Sequence, residues 1–405
     1  MKSIPRLAAC VLTAVLPCLG SASLEAEPAP GLWLGTLQSE VKNVERARAA
    51  GTQLVCVEVC WSQYEPREGA TDEHYVAAVK AKLSAFRQAG MGIVLDLGVQ
   101  YPPAWVREAP DARYVNQYGA AYVGHEPGSN GTNAVFSAAA RQRQARYVKQ
   151  LAKDLGTQWV AVRLGGGFYG ELCYPLHKYQ GQTNCYWAFD ELAQGKKEGL
   201  AKGLEKCPVP GWKPGEPSPA HENAAKFAEW YLQCLQNYHD WQITTARDAG
   251  FAGKLAMLYP SWGIRPGQLA AAVTADLGGT TPAEKNGEVQ RGYDFARFVA
   301  GIHDQNVIVY STWLDSDPKF GDDQAKDQTA WSPAHYLAEL AHQHQPPLEA
   351  WGENTGNGDV AAIKLCFQRA RKFELHGLFW AFEKDLLESP AKTQCFREET
   401  LNAGK

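Results

Sequence analysis

The 405-residue chain has no surplus of positive charge. Its 40 Lys and Arg face 44 Asp and Glu, for a formal charge of -4, and its pI is about 6.2. That excludes the basic footprint of a nucleic-acid-binding protein. Past the N-terminus the chain also lacks any run of about 18 apolar residues, the length a membrane-spanning helix needs. C-x-x-C is absent. His342 and His344 stand two apart in an expected helix and so point to different faces. No metal site is expected on that pattern. Neither an internal repeat nor a low-complexity linker interrupts residues 31–405, which argues against a solenoid or a string of modules.

What is present begins with an export signal. Lys2 and Arg6 form a basic start, residues 7–20 an apolar run too short to span a bilayer, and a small-residue cleavage site ends at Ala22. Residues 1–22 therefore read as a signal peptide, residues 23–30 as a short linker and residues 31–405 as the folded body, secreted or periplasmic. Eight cysteines remain after Cys10 and Cys18: Cys56, Cys60, Cys173, Cys185, Cys207, Cys234, Cys366 and Cys395. An even number in an exported chain suggests disulfides. Cys56 and Cys60, four apart in an expected strand, are too distant to bond each other.

Short apolar runs alternate with helical patterns. The runs are 31–36, 53–61, 92–98, 159–167, 254–260, 307–313, 348–354 and 376–382. Helical periodicity covers 72–89, 141–155, 220–249, 293–303, 333–344 and 359–373, with Gly90 and Gly250 placed as helix stops. Strand–helix alternation implies parallel strands, and eight units predict an α/β fold, a (β/α)8 TIM barrel with enlarged βα loops. The largest insertion, about 172–219, follows the fourth strand and is expected to cap the barrel mouth.

Residues 159–175, "WVAVRLGGGFYGELCYP", contain G-x-G-x-x-G at Gly165, Gly167 and Gly170. A dinucleotide turn must open a helix whose N-terminus faces the pyrophosphate. Pro175 and an aperiodic stretch follow instead, so the glycines are read as a sharp turn that also lets substrate approach. No nucleotide cofactor is expected.

Barrel active sites form at the C-terminal strand ends. Glu171 follows the fourth strand and Glu353 ends the seventh, with Glu349 a deeper reserve. Strand parity turns Cys56, Glu58, Asp96 and Arg163 inward. An acid inside a barrel is costly unless paired or used. Two carboxyl groups across a mouth suit glycosidic hydrolysis, one protonated and one ionised. An aromatic rim suits sugar rings: Trp61, Tyr101, Trp105, Tyr169, Trp262, Trp313, Trp351 and Trp380 all fall at or just past strand ends. Packing in the core is the plainer reading of any single one. Glu171 and Glu353 are thus the candidate catalytic pair. The inward polar residues, the rim and Asn354 are candidate carbohydrate contacts.

These residues carry a resemblance. "GELCYP" after strand four and "GEN" after strand seven resemble the general-acid and general-base motifs of the β-amylases, glycoside hydrolase family 14. "VEVCW" around Glu58, "GYDFARFV" before "VIVYSTW" and "LHGLFWAFEKDLLES" fall in the same order. The resemblance implies an inverting glycosidase in which Glu171 is the acid, Glu353 the base, Glu58 a supporting acid and Thr312 an inner-loop threonine. It runs patchily through residues 50–390. "GVQYPPAWV" and "WSQYEPREG" look instead like the β-galactosidases of glycoside hydrolase family 42, which are retaining. Their usual Asn before the strand-four Glu is replaced here by Gly170. The alternatives are a retaining glycosidase and a sugar-binding barrel without catalysis. The sequence leaves the oligomeric state open.

Overall fold

The computed structural model describes residues 31–124, 131–279 and 283–403. The expected signal peptide and linker lie outside the described residues. Eight parallel strands close into a barrel in sequence order. They are β1 (Trp33–Thr36), β2 (Leu54–Glu58), β3 (Gly92–Asp96), β4 (Ala161–Leu164), β5 (Lys254–Tyr259), β6 (Val307–Ser311), β7 (Ala350–Glu353) and β8 (Gly377–Trp380). β8 returns to β1 with Trp33 beside Gly377 and Thr36 beside Trp380. All eight expected strands form, each shorter than its apolar run.

The strands read as near-continuous hydrophobic runs because both faces are covered. Cys56, Val94, Ala161, Ala256, Ile308 and Phe379 fill the barrel interior. Val55, Val57, Ile93, Leu95 and Val309 face the surrounding helices. One residue of register shift would exchange these two sets.

The helices start where their caps sit. Asp72 accepts from the Tyr75 amide ahead of Glu73–Gln88, Ser137 from Ala140 ahead of Ala138–Leu155, and Asp359 from Ala362 ahead of Val360–Lys372. Gly90 and Gly250 follow their helices with φ of 73° and 99°, the left-handed stop that glycine takes at little cost. The insertion after β4 carries no helix or strand until Pro219.

Two expectations are corrected. Among the described residues the eight cysteines are free thiols, and the seven other than Cys60 are buried and pack as small core hydrophobes. The glycines after β4 open no α-helix, only the short 3-10 turn Phe168–Gly170, as the sequence implied. Nor do they clear a path for substrate. A Cβ on Gly165 would stand 2.0 Å from Gly170 O, and one on Gly166 2.6 Å from the Tyr238 hydroxyl. The loop closes on itself and on the helix Glu222–Asp248. Among the described residues, no helix is long and apolar enough to cross a membrane.

Candidate active site

β3 fixes one row of the site. Glu58 of β2 is in register with Asp96 of β3, and Asp96 with Arg163 of β4. In-register neighbours of a parallel sheet point to one side, so three charged groups enter the mouth together. Across the barrel stands Glu353. The Arg163 guanidinium donates from Nη1 to Glu353 Oε2 at 2.8 Å and from Nη2 to Oε1 at 3.2 Å. Its Nε lies 3.3 Å from Asp96 Oδ2. The Tyr310 hydroxyl donates to Glu353 Oε2 at 2.7 Å. Glu353 is 7% exposed. It is a carboxylate held on both oxygens, the bidentate geometry that only Arg supplies.

Glu171 has the opposite surroundings. Thr312, just past β6, donates from Oγ1 to Glu171 Oε1 at 2.7 Å. Among the described residues, no cation is bonded to the carboxyl. Burial pushes its pKa up to about 7, Glu353 adds repulsion, and Thr312, Arg291 and Arg163 oppose the rise. A carboxyl near 7 keeps a proton available at neutral pH. The mouth therefore holds two carboxyl groups in contrasting surroundings, one shielded and bonded by Thr312, the other ion-paired with Arg163.

Glu58 is the most open of the inward acids. It accepts from Gln100 Nε2 at 3.3 Å. Loss of water and the neighbouring Asp96 raise its pKa, while Arg163 and hydrogen bonds from Tyr101 and Gln100 hold it back. Its carboxyl stays accessible through the mouth. Asp96 and Arg163 are not free in this way. Asp96 accepts from Gly98 N at 2.9 Å and from Gln100 at 3.4 Å, and Arg163 spends its fork on Glu353. Both were expected to meet substrate; in the structure their polar atoms are engaged with Gly98, Gln100, Glu353 and each other.

The aromatic rim divides in two. Trp262 and Trp313, past β5 and β6, are half-buried and meet edge to face at 5.8 Å. Tyr169 is half exposed, and Tyr101 is half-buried beside Glu58. These four border the mouth. The others do not. Trp61 is fully buried, stacks on Tyr147 at 4.7 Å and donates to Glu65. Trp105 donates to the Glu65 carbonyl, and the Arg146 guanidinium covers its ring at 5.2 Å. Trp380 turns outward to the helices and donates to Asp385. Trp351 lies in the barrel interior against Phe379, its indole donating to Glu349. Glu349 pairs with Lys254 at the N-terminal end of β5, the far end of the barrel, and so cannot replace Glu353. Asn354 spends its amide on Ala381, donating to O at 3.0 Å and accepting from N at 2.7 Å. It ties the end of β7 to Ala381, just past β8.

Sequence reasoning missed Tyr310, Gln100, Arg291 and Glu288. Tyr310 was within reach, because it shares inward parity with Ile308. The other three lie in loops or excursions, where no periodicity says which way a side chain faces.

A family model described as beta-galactosidase, glycoside hydrolase family 42, matches residues 32–162, about a third of the chain. The match ends at β4, before Glu171 and Glu353. No protein of curated function matches. Among solved structures, the catalytic domain of a β-amylase from Paenibacillus polymyxa is similar at 15% identity and TM-score 0.67, covering 93% of this chain and 99% of that one. A β-galactosidase from the psychrophilic Marinomonas ef1 is similar at 12% identity and TM-score 0.60, covering 91% of this chain and 59% of that one. One from Halorubrum lacusprofundi is similar at 13% identity and TM-score 0.56, covering 91% of this chain and 58% of that one. The chain thus spans about three fifths of those β-galactosidases. Its fold is the (β/α)8 barrel, of the kind that glycoside hydrolases use. Within that class it resembles both the β-amylases and the β-galactosidases, and the likeness supports a hydrolase.

Proposed function

We propose that the protein is an exported glycoside hydrolase that cleaves O-glycosidic bonds of oligo- or polysaccharides, with Glu171 as proton donor and Glu353 as its ionised partner. The observation that carries this is their contrast in one mouth. Glu171 is shielded and near 7, whereas Glu353 is ion-paired with Arg163. Glu171 protonates the leaving oxygen as the bond breaks. Negative charge at Glu353 stabilises the oxocarbenium-like transition state. Glu58 and the Trp262–Trp313 pair offer a carboxyl and ring edges to the sugar. Export rests on residues 1–22.

The β-amylase resemblance implies inversion, with Glu353 activating a water. One observation favours retention. Both Glu353 oxygens are occupied by Arg163, and Tyr310 adds a third bond. Arg163 and Tyr310 together hold the carboxylate in one fixed orientation, as a nucleophile needs. Retention would proceed through a glycosyl ester on Glu353, which water then cleaves with Glu171 acting as base.

The test is a screen of purified protein against α- and β-linked glucans and galactans, with the first-formed anomer followed by NMR. Glu171→Gln should leave sugar binding intact and lower kcat by about 100-fold or more. Binding without turnover in the wild type would make the barrel a carbohydrate-binding protein instead.

A further inference from the structure

Helix Ala283–Arg291 lies in the excursion between β5 and β6 and ends at Arg291. Arg291 is 8% exposed. Its Nε donates to Tyr174 O at 2.8 Å, and its Nη2 reaches Cys173 Sγ at 3.1 Å. In return the Tyr174 amide donates to Arg291 O at 3.0 Å. The same guanidinium lies over the Phe168 ring at 5.7 Å. Glu171 sits between these anchors, three residues after Phe168 and two before Cys173. Its backbone is further fixed by Gly167 N donating to Glu171 O at 2.8 Å and by Leu172 N donating to Leu258 O at 3.0 Å.

We propose that Arg291 is a positioning residue for Glu171: it clamps the segment on both sides of the acid and places a buried positive charge beside its carboxyl. The proposal rests on the glycosidase reading for its kinetic consequence, but not for its electrostatic one. Arg291 makes no side-chain bond to Glu171 that would tie up the carboxyl. It acts through space, as an opposite charge that favours the ionised form. The groups that act on Glu171 are Arg291, Glu353, Arg163, Tyr293 and Thr312. Those that act with Arg291 are Tyr293, Cys173, Glu171, Tyr122, Tyr231 and, on its own helix, Glu288. Glu353 is already paired with Arg163, and Glu288 accepts from Ser261 and Gly263. Arg291 is therefore the cation most directly opposed to the burial of Glu171.

The test compares Arg291→Met and Arg291→Lys with the wild-type chain, each checked for folding by circular dichroism. Glu171 ionisation is followed by 13C NMR of Glu side-chain carboxyls, its signal assigned by its loss in Glu171→Gln. Arg291→Met removes the charge, so the Glu171 midpoint should rise by about half a unit or more. Arg291→Lys keeps the charge but loses the fork, so the midpoint should hold while kcat on the substrate found by the screen drops about tenfold or more. An unmoved midpoint in a folded Arg291→Met protein overturns the charge role. Wild-type kcat in Arg291→Lys overturns the clamp. Should Arg291→Met fail to fold, Arg291→Gln takes its place, and an unmoved Glu171 midpoint there overturns the charge role. A wild-type protein inactive on every glycoside sinks the glycosidase reading alone, because the NMR midpoint needs no turnover.

Discussion

Glu353 depends on Arg163 more than on any other side chain. The pair joins β4 to β7 across the barrel, with Asp96 on the guanidinium's other edge. Replacing one partner of a buried ion pair leaves the other charge uncompensated, at a cost of about 3–5 kcal/mol. Arg163→Met should therefore lower the urea midpoint strongly and strand Glu353 and Asp96 together. A midpoint within error of wild type would mean that the pair adds nothing to the fold. The sequence showed Arg163 as inward by parity, yet its partner stands 190 positions away. No local pattern connects the two.

At the scale of elements, the helix Ala283–Arg291 touches two parts of the mouth. Arg291 grips the segment after β4. Glu288 accepts from Ser261 Oγ at 2.7 Å and from Gly263 N at 2.6 Å, the residues on either side of Trp262. One helix thus braces both the acid and an aromatic ring at the rim. Glu288→Leu removes both acceptor oxygens and leaves the Ser261 hydroxyl and the Gly263 amide without their partner. It should loosen the Trp262 turn and raise KM for oligosaccharides about threefold or more, with a smaller change in kcat. Equal losses in kcat and kcat/KM would instead tie Trp262 to the transition state. The strand elements were legible because burial on both faces makes them apolar throughout. This helix was not, because an excursion is placed by what it packs against rather than by its own period.

For the whole molecule, the acids divide by environment. Burial lifts Glu171 and Glu288 to about 7 and Asp190 to about 6. Each binds its proton more tightly folded than unfolded. Each therefore costs stability as pH rises from its unfolded value through its folded one. Asp323 and Asp304 are shifted the other way: burial disfavours their charge, but the hydrogen bonds and ion pairs of His335, Ser332 and Arg369 for Asp323, and of Arg247 and Asn306 for Asp304, outweigh it. Their contribution is present above the unfolded value and fades as pH falls below it. Stability should peak at about pH 5–6 and decline toward pH 8. Glu171→Gln should flatten that decline, gaining on the order of 1 kcal/mol at pH 8 and little at pH 4.5. Denaturant titrations of both proteins across pH 4–9 measure this, and stability that climbs from pH 6 to pH 8 would contradict it.

Taken alone, the sequence determined the number of strands, their inward and outward parity, and the two acids at opposing strand ends. These follow from local rules: period two along a strand, apolar runs under helices, glycine at helix stops. Tertiary structure decided which aromatic rings meet the mouth and what each carboxyl touches. Trp61, Trp105, Trp351 and Trp380 fall at or just past strand ends as Trp262 and Trp313 do, yet three are buried in the core and Trp105 is capped by Arg146. Glu171 and Glu353 are both glutamates at strand ends, yet one is left near 7 and the other is clamped by Arg163. Such differences are made by side chains far away in sequence, brought within a few ångströms only when the barrel closes.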